Sequence, residues 1–112
     1  MQCILIIREE WAIKIFNNPP KDWRDLQNKA GSIFRCLGYE IFIEKNIKTV
    51  RGTVNVDVFA RDRTNELSPI HICECKHWNN RVPKNVVHSF RTVITDFGVN
   101  FAYIISKSGY QA

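Results

Sequence analysis

The sequence predicts an α/β fold, a central mixed β-sheet flanked by helices, in the order helix, three strands, helix, strand. Three observations predict it. Apolar residues recur at helical spacing in two segments, one around Trp23 to Leu37 and one around Val86 to Phe97, each followed by a glycine, Gly38 and Gly98. Between them lie three strand-length runs rich in β-branched and aromatic residues. A short apolar run follows the second helix, and a crossover through a helix makes that last strand parallel to the third. Helices and strands in this order form layers around one sheet.

Taken in order, residues 1–18 are apolar with interspersed charges. Trp11, Ile13 and Ile15 alternate with Ala12, Lys14 and Phe16, and Ile4 to Ile7 suits a strand or a helical turn. Asn17-Asn18-Pro19-Pro20 ends this part, because proline continues neither ladder. An N-terminal arm or hairpin is expected here, with the core spanning 22–112 of a single domain. Asp22 is placed to cap the first helix. Its stripe is Trp23, Leu26, Ala30, Ile33, Phe34 and Leu37, with Gln27 beside it. A solvated flank is the commoner lot of such a glutamine.

Tyr39 to Lys45 reads as the first strand of the central three, and Asn46 to Gly52 as a basic turn carrying Lys48 and Arg51. Thr53 to Ala60 is the second strand. Its face of Val54, Val56, Val58 and Ala60 is wholly apolar, and Asp57 on the other face is a lone carboxylate in a β-branched run. Arg61 to Ser68 is a polar loop, and Pro69 opens the third strand. After Trp78, Asn79-Asn80-Arg81 turns the chain, and Pro83 suits the first turn of the second helix. Val99 to Ile105 is the last strand.

The 112 residues suffice for one modest core, and 45% hydrophobic with 24% charged residues is an ordinary soluble balance. A net charge of +5 favours polyanionic partners without locating a site. Cys3, Cys36, Cys73 and Cys75 form neither a CxxC pair nor a regular disulfide framework, so reduced thiols and a cytoplasmic location are expected. No apolar run is long enough to span a membrane, and the run Cys3 to Ile7 is too short for a signal segment.

The stretch Ile70-His71-Ile72-Cys73-Glu74-Cys75-Lys76-His77-Trp78 carries the chemistry. Alternation along a strand puts Glu74 and Lys76 on the same side as Ile70 and Ile72. A carboxylate and an ammonium beside isoleucines cost free energy unless charged partners meet them. Asp57 and Glu74, with the Cys75 carbonyl, offer hard oxygen ligands of the kind magnesium takes. Lys76 would orient a water, help deprotonate it, or offset charge in a transition state. The competing reading is a partly buried salt-bridged cluster without chemistry.

His71, Cys73, Cys75 and His77 also alternate on one face, but the outer pair stand roughly 20 Å apart along a strand and cannot share a tetrahedral zinc. Small thiols packed under a helix, with one or two exposed histidines, is the better reading. Arg81, Lys84 and Arg91, on the side of Lys76, and Lys107 are candidate DNA-binding residues through phosphate contacts.

Asp57 followed by Glu74-Cys75-Lys76 at the end of the next strand, then a helix and an apolar strand, resembles the PD-(D/E)xK nuclease superfamily, and more narrowly the Mrr-type restriction endonuclease domain. The similar residues run from Leu26 to Gln111. They include Leu37-Gly38-Tyr39-Glu40, Gly52 with Val56-Asp57-Val58, Cys73-Glu74-Cys75-Lys76 with Trp78, Val82, Phe90, and Tyr103-Ile104-Ile105-Ser106 before Gly109-Tyr110. The resemblance implies a restriction-endonuclease-like three-layer fold and a metal-dependent DNA endonuclease of restriction or repair type. It implies catalytic residues Asp57, Glu74, Lys76 and Gln27, with Mg²⁺ or Mn²⁺ on Asp57, Glu74 and the Cys75 carbonyl. DNA is the partner it implies, with no membrane, and a homodimer suits double-strand cutting. Three departures stand out. Val56 replaces the proline of the superfamily's name, Gln27 replaces a frequent glutamate, and the sequence stops at Ala112, so that the family's closing helix is missing or belongs to a longer chain. Gln27 leaves open a catalytically weak nucleic-acid-binding domain on the same fold, and a junction-resolving nuclease is a further alternative.

Overall fold

The structure, a computed structural model, describes residues 3–8 and 20–106. Its elements are β1 (Cys3–Arg8), α1 (Trp23–Cys36), β2 (Glu40–Thr49), β3 (Gly52–Arg61), β4 (Ile70–Lys76), α2 (Lys84–Phe97) and β5 (Phe101–Ser106). They form a five-stranded sheet in the order β1-β5-β4-β3-β2. The β2–β3 and β3–β4 pairs are antiparallel, and β4–β5 and β5–β1 are parallel. The expected helix, three strands, helix and strand are present, with the last strand parallel to the third. Of the expected N-terminal arm or hairpin over 1–18, only residues 3–8 are described, and they form a fifth strand, one of the two forms expected for Ile4 to Ile7, paired along β5 from Cys3 opposite Phe101 to Arg8 opposite Ser106. The alternation at 11–16, the Asn-Asn-Pro-Pro stop as far as Pro19, and Lys107 lie outside the described residues.

The helices cover opposite faces of the sheet. On one face α1 packs Leu26, Ala30 and Phe34 on Val58, Ala60 and Cys73. On the other, α2 packs Phe90 and Ile94 on Phe59, Ile72 and Ile104. The adjacent pairs Ile72/Cys73 and Ile104/Ile105 feed opposite clusters, as strand alternation requires. Asp22 caps α1, its carboxylate accepting the Asp25 N–H at 2.8 Å. Gly38 and Gly98 follow the two helices with φ of +87° and +78°, a left-handed backbone that glycine takes without a Cβ penalty.

Two strand readings change. Asn46 to Thr49 is not turn but the second half of β2, where Asn46, Ile47 and Lys48 face Asn55, Val54 and Thr53 across the ladder. Burial of Ile47, 3% exposed, holds it there. Only Val50-Arg51 turns the chain, and the Thr49 hydroxyl closes the turn by donating to the Gly52 carbonyl and accepting from the Arg51 N–H. The expected single face of Val54, Val56, Val58 and Ala60 is also divided. Val54 and Val56 pack toward α2, whereas Val58 and Ala60 pack toward α1. The facing strand divides at the same level, Ile41 and Ile43 going with α1 and Ile47 with α2. Both divisions fall at the level of Glu44, whose φ of +54° interrupts the pleat of β2 opposite Asp57.

Candidate active site

The β3–β4 ladder runs from Arg61 opposite Ile70 to Val58 opposite Cys73 and stops there. The next position in this register sets Asp57 opposite Glu74. In place of ladder bonds, each carboxylate bonds to the neighbouring strand's backbone. Asp57 Oδ2 accepts the Cys75 N–H at 2.7 Å, and Glu74 Oε1 accepts the Asp57 N–H at 3.4 Å. The strands part at the level where Glu44 reverses β2, and the two acids fill the fork. Lys76 Nζ lies 3.5 Å from Glu74 Oε2 and 5.0 Å from the centre of the Trp78 ring. Asp57, Glu74 and Lys76 are therefore brought together.

The electrostatics follow from the geometry. Burial raises the Asp57 pKa, opposed by the Cys75 N–H bond, the Lys76 charge and a hydrogen bond with Trp23. Burial, then the Asp57 charge, pushes Glu74 up to about 7, against the pull of Lys76. One ammonium does not offset two neighbouring carboxylates, so the site favours an additional positive charge. Among the described residues no group of three His, Cys, Asp or Glu side chains is arranged to hold a metal. What the fork offers is two carboxylates, hard-oxygen donors of the kind taken by magnesium, which keeps several waters of its own.

Trp23 brings α1 to this fork. One helical turn further on, Gln27 shares the row Trp23, Gln27, Ala30, Phe34 along the buried face. The solvated flank expected for Gln27 is thus corrected. It is 1% exposed, and its Nε2 meets no hydrogen-bond partner among the described residues. On the opposite face of the sheet, Glu74 and Lys76 line a cavity of about 230 Å³ between β3, β4 and α2. Its walls include Val56, Phe90, Val93 and Ile104, and Asn55, Asn85 and Ser89 stand at its rim.

The basic residues are not gathered in the same way. Arg81, Lys84 and Arg91 are exposed. The cavity-facing flank of α2 carries Asn85, Val86, Ser89 and Val93. At about 3.6 residues per turn, Lys84 and Arg91 fall on the other flank. The cavity's cation is Lys76. Asn85 and Ser89 carried no sequence signal beyond their spacing of four beside Val86 and Phe90, and Trp23 read only as core.

The thiols and histidines separate as their burial dictates. Cys73 and Cys75 lie buried under α1, and a hydrogen bond to Cys75 together with burial pushes the Cys73 thiol well above its usual range. His71 is buried rather than exposed, stacked on Phe101 at 4.7 Å with Nδ1 3.1 Å from the Tyr103 hydroxyl. His77 approaches the Pro20 carbonyl at 3.4 Å, tying the strand end to the start of α1.

The family model described as "Restriction endonuclease", the Mrr-type catalytic domain, matches residues 21–112. The chain belongs to the Mrr-type restriction endonuclease family. That family lies within the PD-(D/E)xK nuclease superfamily. No curated protein matches the chain. Among solved structures, one titled "Crystal Structure of Protein of Unknown Function AF1548" is similar over 77% of this chain, with a TM-score of 0.59 and 16% identity. The chain covers 49% of that protein's length, and the likeness is one of fold. In this Mrr-type domain Asp57 and Glu74 sit at the fork, with Lys76 alongside.

Proposed function

We propose that this Mrr-type domain is a metal-dependent endonuclease that hydrolyses DNA phosphodiester bonds. The observation that carries the proposal is the meeting of Asp57, Glu74 and Lys76 at a fork where side chains replace the β3–β4 ladder. Asp57, Glu74 and the Cys75 carbonyl hold Mg²⁺ or Mn²⁺ in this reading. The ion supplies Lewis-acid polarisation of the phosphate when bound. Asp57 is oriented for this by the Cys75 N–H, and Glu74 by the Asp57 N–H. Lys76, steadied between Glu74 and the Trp78 ring, presents a fixed positive charge to the phosphate and a donor to the attacking water. Gln27, buried one turn from Trp23, supplies a second polar group from α1.

DNA as substrate is supported by family membership and by the net charge of +5. The exposed Arg81, Lys84 and Arg91 serve phosphates remote from the reacting one, and Lys107 is assigned to DNA on its charge alone. Double-strand cutting by one such centre per chain favours a homodimer. Free thiols at Cys36, Cys73 and Cys75 suit a cytoplasmic setting.

The test is plasmid nicking with Mg²⁺ or Mn²⁺, comparing the parent with Asp57→Ala and Lys76→Ala. The parent should nick, and each variant should lose about 100-fold or more, as when one charge-stabilising group is deleted from an active site. Nicking by Asp57→Ala at the parent's rate would sink the proposal.

A further inference from the structure

The cavity beside Glu74 and Lys76 is poorly made for a phosphate. Beyond Lys76 at its edge, which faces Glu74 at 3.5 Å, its walls are apolar and carry no other cation among the described residues. Its rim carries neutral hydrogen-bonding groups instead. Ser32 and Thr92 turn their hydroxyls back onto helix carbonyls four residues earlier, at 2.9 and 3.2 Å. Ser89, on the same helix as Thr92, has no such bond, and neither Ser89 nor Asn85 has a side-chain partner among the described residues. Asn55 is held by its amide nitrogen, which donates to the Glu44 carbonyl and to Asn46 Oδ1, leaving its own carbonyl oxygen to face outward. The rim thus offers two groups that donate or accept, and one fixed acceptor.

The size is equally selective. At about 30 Å³ per water, 230 Å³ holds about eight waters. That is less than the roughly 300–1,000 Å³ of sites that enclose drug-sized ligands. It is the scale of one heterocyclic ring with its substituents.

We propose that this cavity receives a single nucleobase adjoining the scissile phosphodiester, turned out of its stack, with Ser89 and Asn85 bonding its edge. The inference rests on the endonuclease reading and adds a substrate class to it: DNA carrying an unpaired or easily extruded nucleotide. A ring between Val56, Phe90 and Val93 replaces the stacking it gives up, and the rim groups replace its pairing bonds. A base that is already unpaired spares the cost of extrusion, which is one source of selectivity in base-flipping enzymes.

The experiment measures binding, without cleavage, in EDTA. A short duplex with one unpaired 2-aminopurine is compared with the fully paired duplex of the same sequence, using the whole chain. The parent should bind the unpaired form about tenfold tighter, with a change in 2-aminopurine emission. Ser89→Phe, at an exposed position facing the cavity, fills it and should abolish both the preference and the emission change while retaining affinity for paired duplex. If Ser89→Phe fails to fold, Ser89→Ala combined with Asn85→Ala replaces it and should cut the preference at least threefold. Equal binding of the two duplexes by the parent overturns the inference, as does a preference that survives the filled cavity. A parallel nicking assay with Mg²⁺ separates the two claims. Nicking without preference removes the base site and keeps the nuclease, whereas preference without nicking does the reverse.

Discussion

Glu74 keeps its proton to about pH 7 because it is buried beside a second carboxylate. Its ordinary value is 4.5, so between roughly 4.5 and 7 the folded state binds more protons than the unfolded state. Stability from this group therefore falls as pH rises through that window and is lowest above it. Asp57, also raised, acts with the same sign from its ordinary 3.8 upward. Glu74→Gln removes the larger of these costs, on the order of 3 kcal/mol above pH 7. Thermal melts should show the variant several degrees above the parent at pH 8 and level with it at pH 4. A variant that melts below the parent at pH 8 would mean that the Lys76 contact outweighs desolvation and repulsion. Nicking by the parent should climb with pH toward 7, since a protonated Glu74 is a poor metal ligand.

At the scale of elements, the site depends on a reversal in β2. Both β2 and β3 divide between the two faces at the level of Glu44, at φ +54°, which lies opposite the point where β3 parts from β4. A non-glycine residue in this region costs on the order of 1 kcal/mol or more. Glu44→Gly should relieve that strain and stabilise the fold by about 1 kcal/mol. Glu44→Val should destabilise it by roughly 1–2 kcal/mol, although valine is the better strand former, because β-branched residues resist positive φ. Chemical denaturation of the pair decides the matter. A stabilised Glu44→Val would mean that β2 can run straight, and the fork would then need another cause.

For the whole molecule, the two helices and the sheet converge on one weak point, an acidic pair short of positive charge. Any cation that binds only the folded state adds to stability by mass action, about 2.7 kcal/mol at a hundred times its dissociation constant. Millimolar Mg²⁺ should accordingly raise the melting temperature of the parent by several degrees, and Asp57→Ala should lose that response. A parent melt indifferent to Mg²⁺ and Mn²⁺ would leave the fork as a structural salt-bridge cluster. The long edge strand β2 carries Glu44, Lys45 and Lys48, charges that discourage pairing with another sheet.

Local signals were legible in the amino-acid order. Helical spacing, the Asp22 cap and the two closing glycines placed α1 and α2, and the crossover through α2 made β5 parallel to β4. The order of Asp57, Glu74 and Lys76 on consecutive strands was enough to bring the three together, because opposition on an antiparallel pair follows from register. The pleat reversal was not legible, since Glu44 carries no signature of positive φ and Val54 to Ala60 reads as one apolar face. Pairing of residues 3–8 with β5 depends on contacts almost a hundred residues away in the chain, beyond any local pattern. Burial of Gln27 was half legible in its row with Trp23, Ala30 and Phe34, but composition favoured solvent and only packing of α1 on the sheet decided against it. The cavity beside Glu74 had no counterpart in the sequence, because its floor is the sheet and its rim is a helix flank, and their juxtaposition exists only once the two layers are closed.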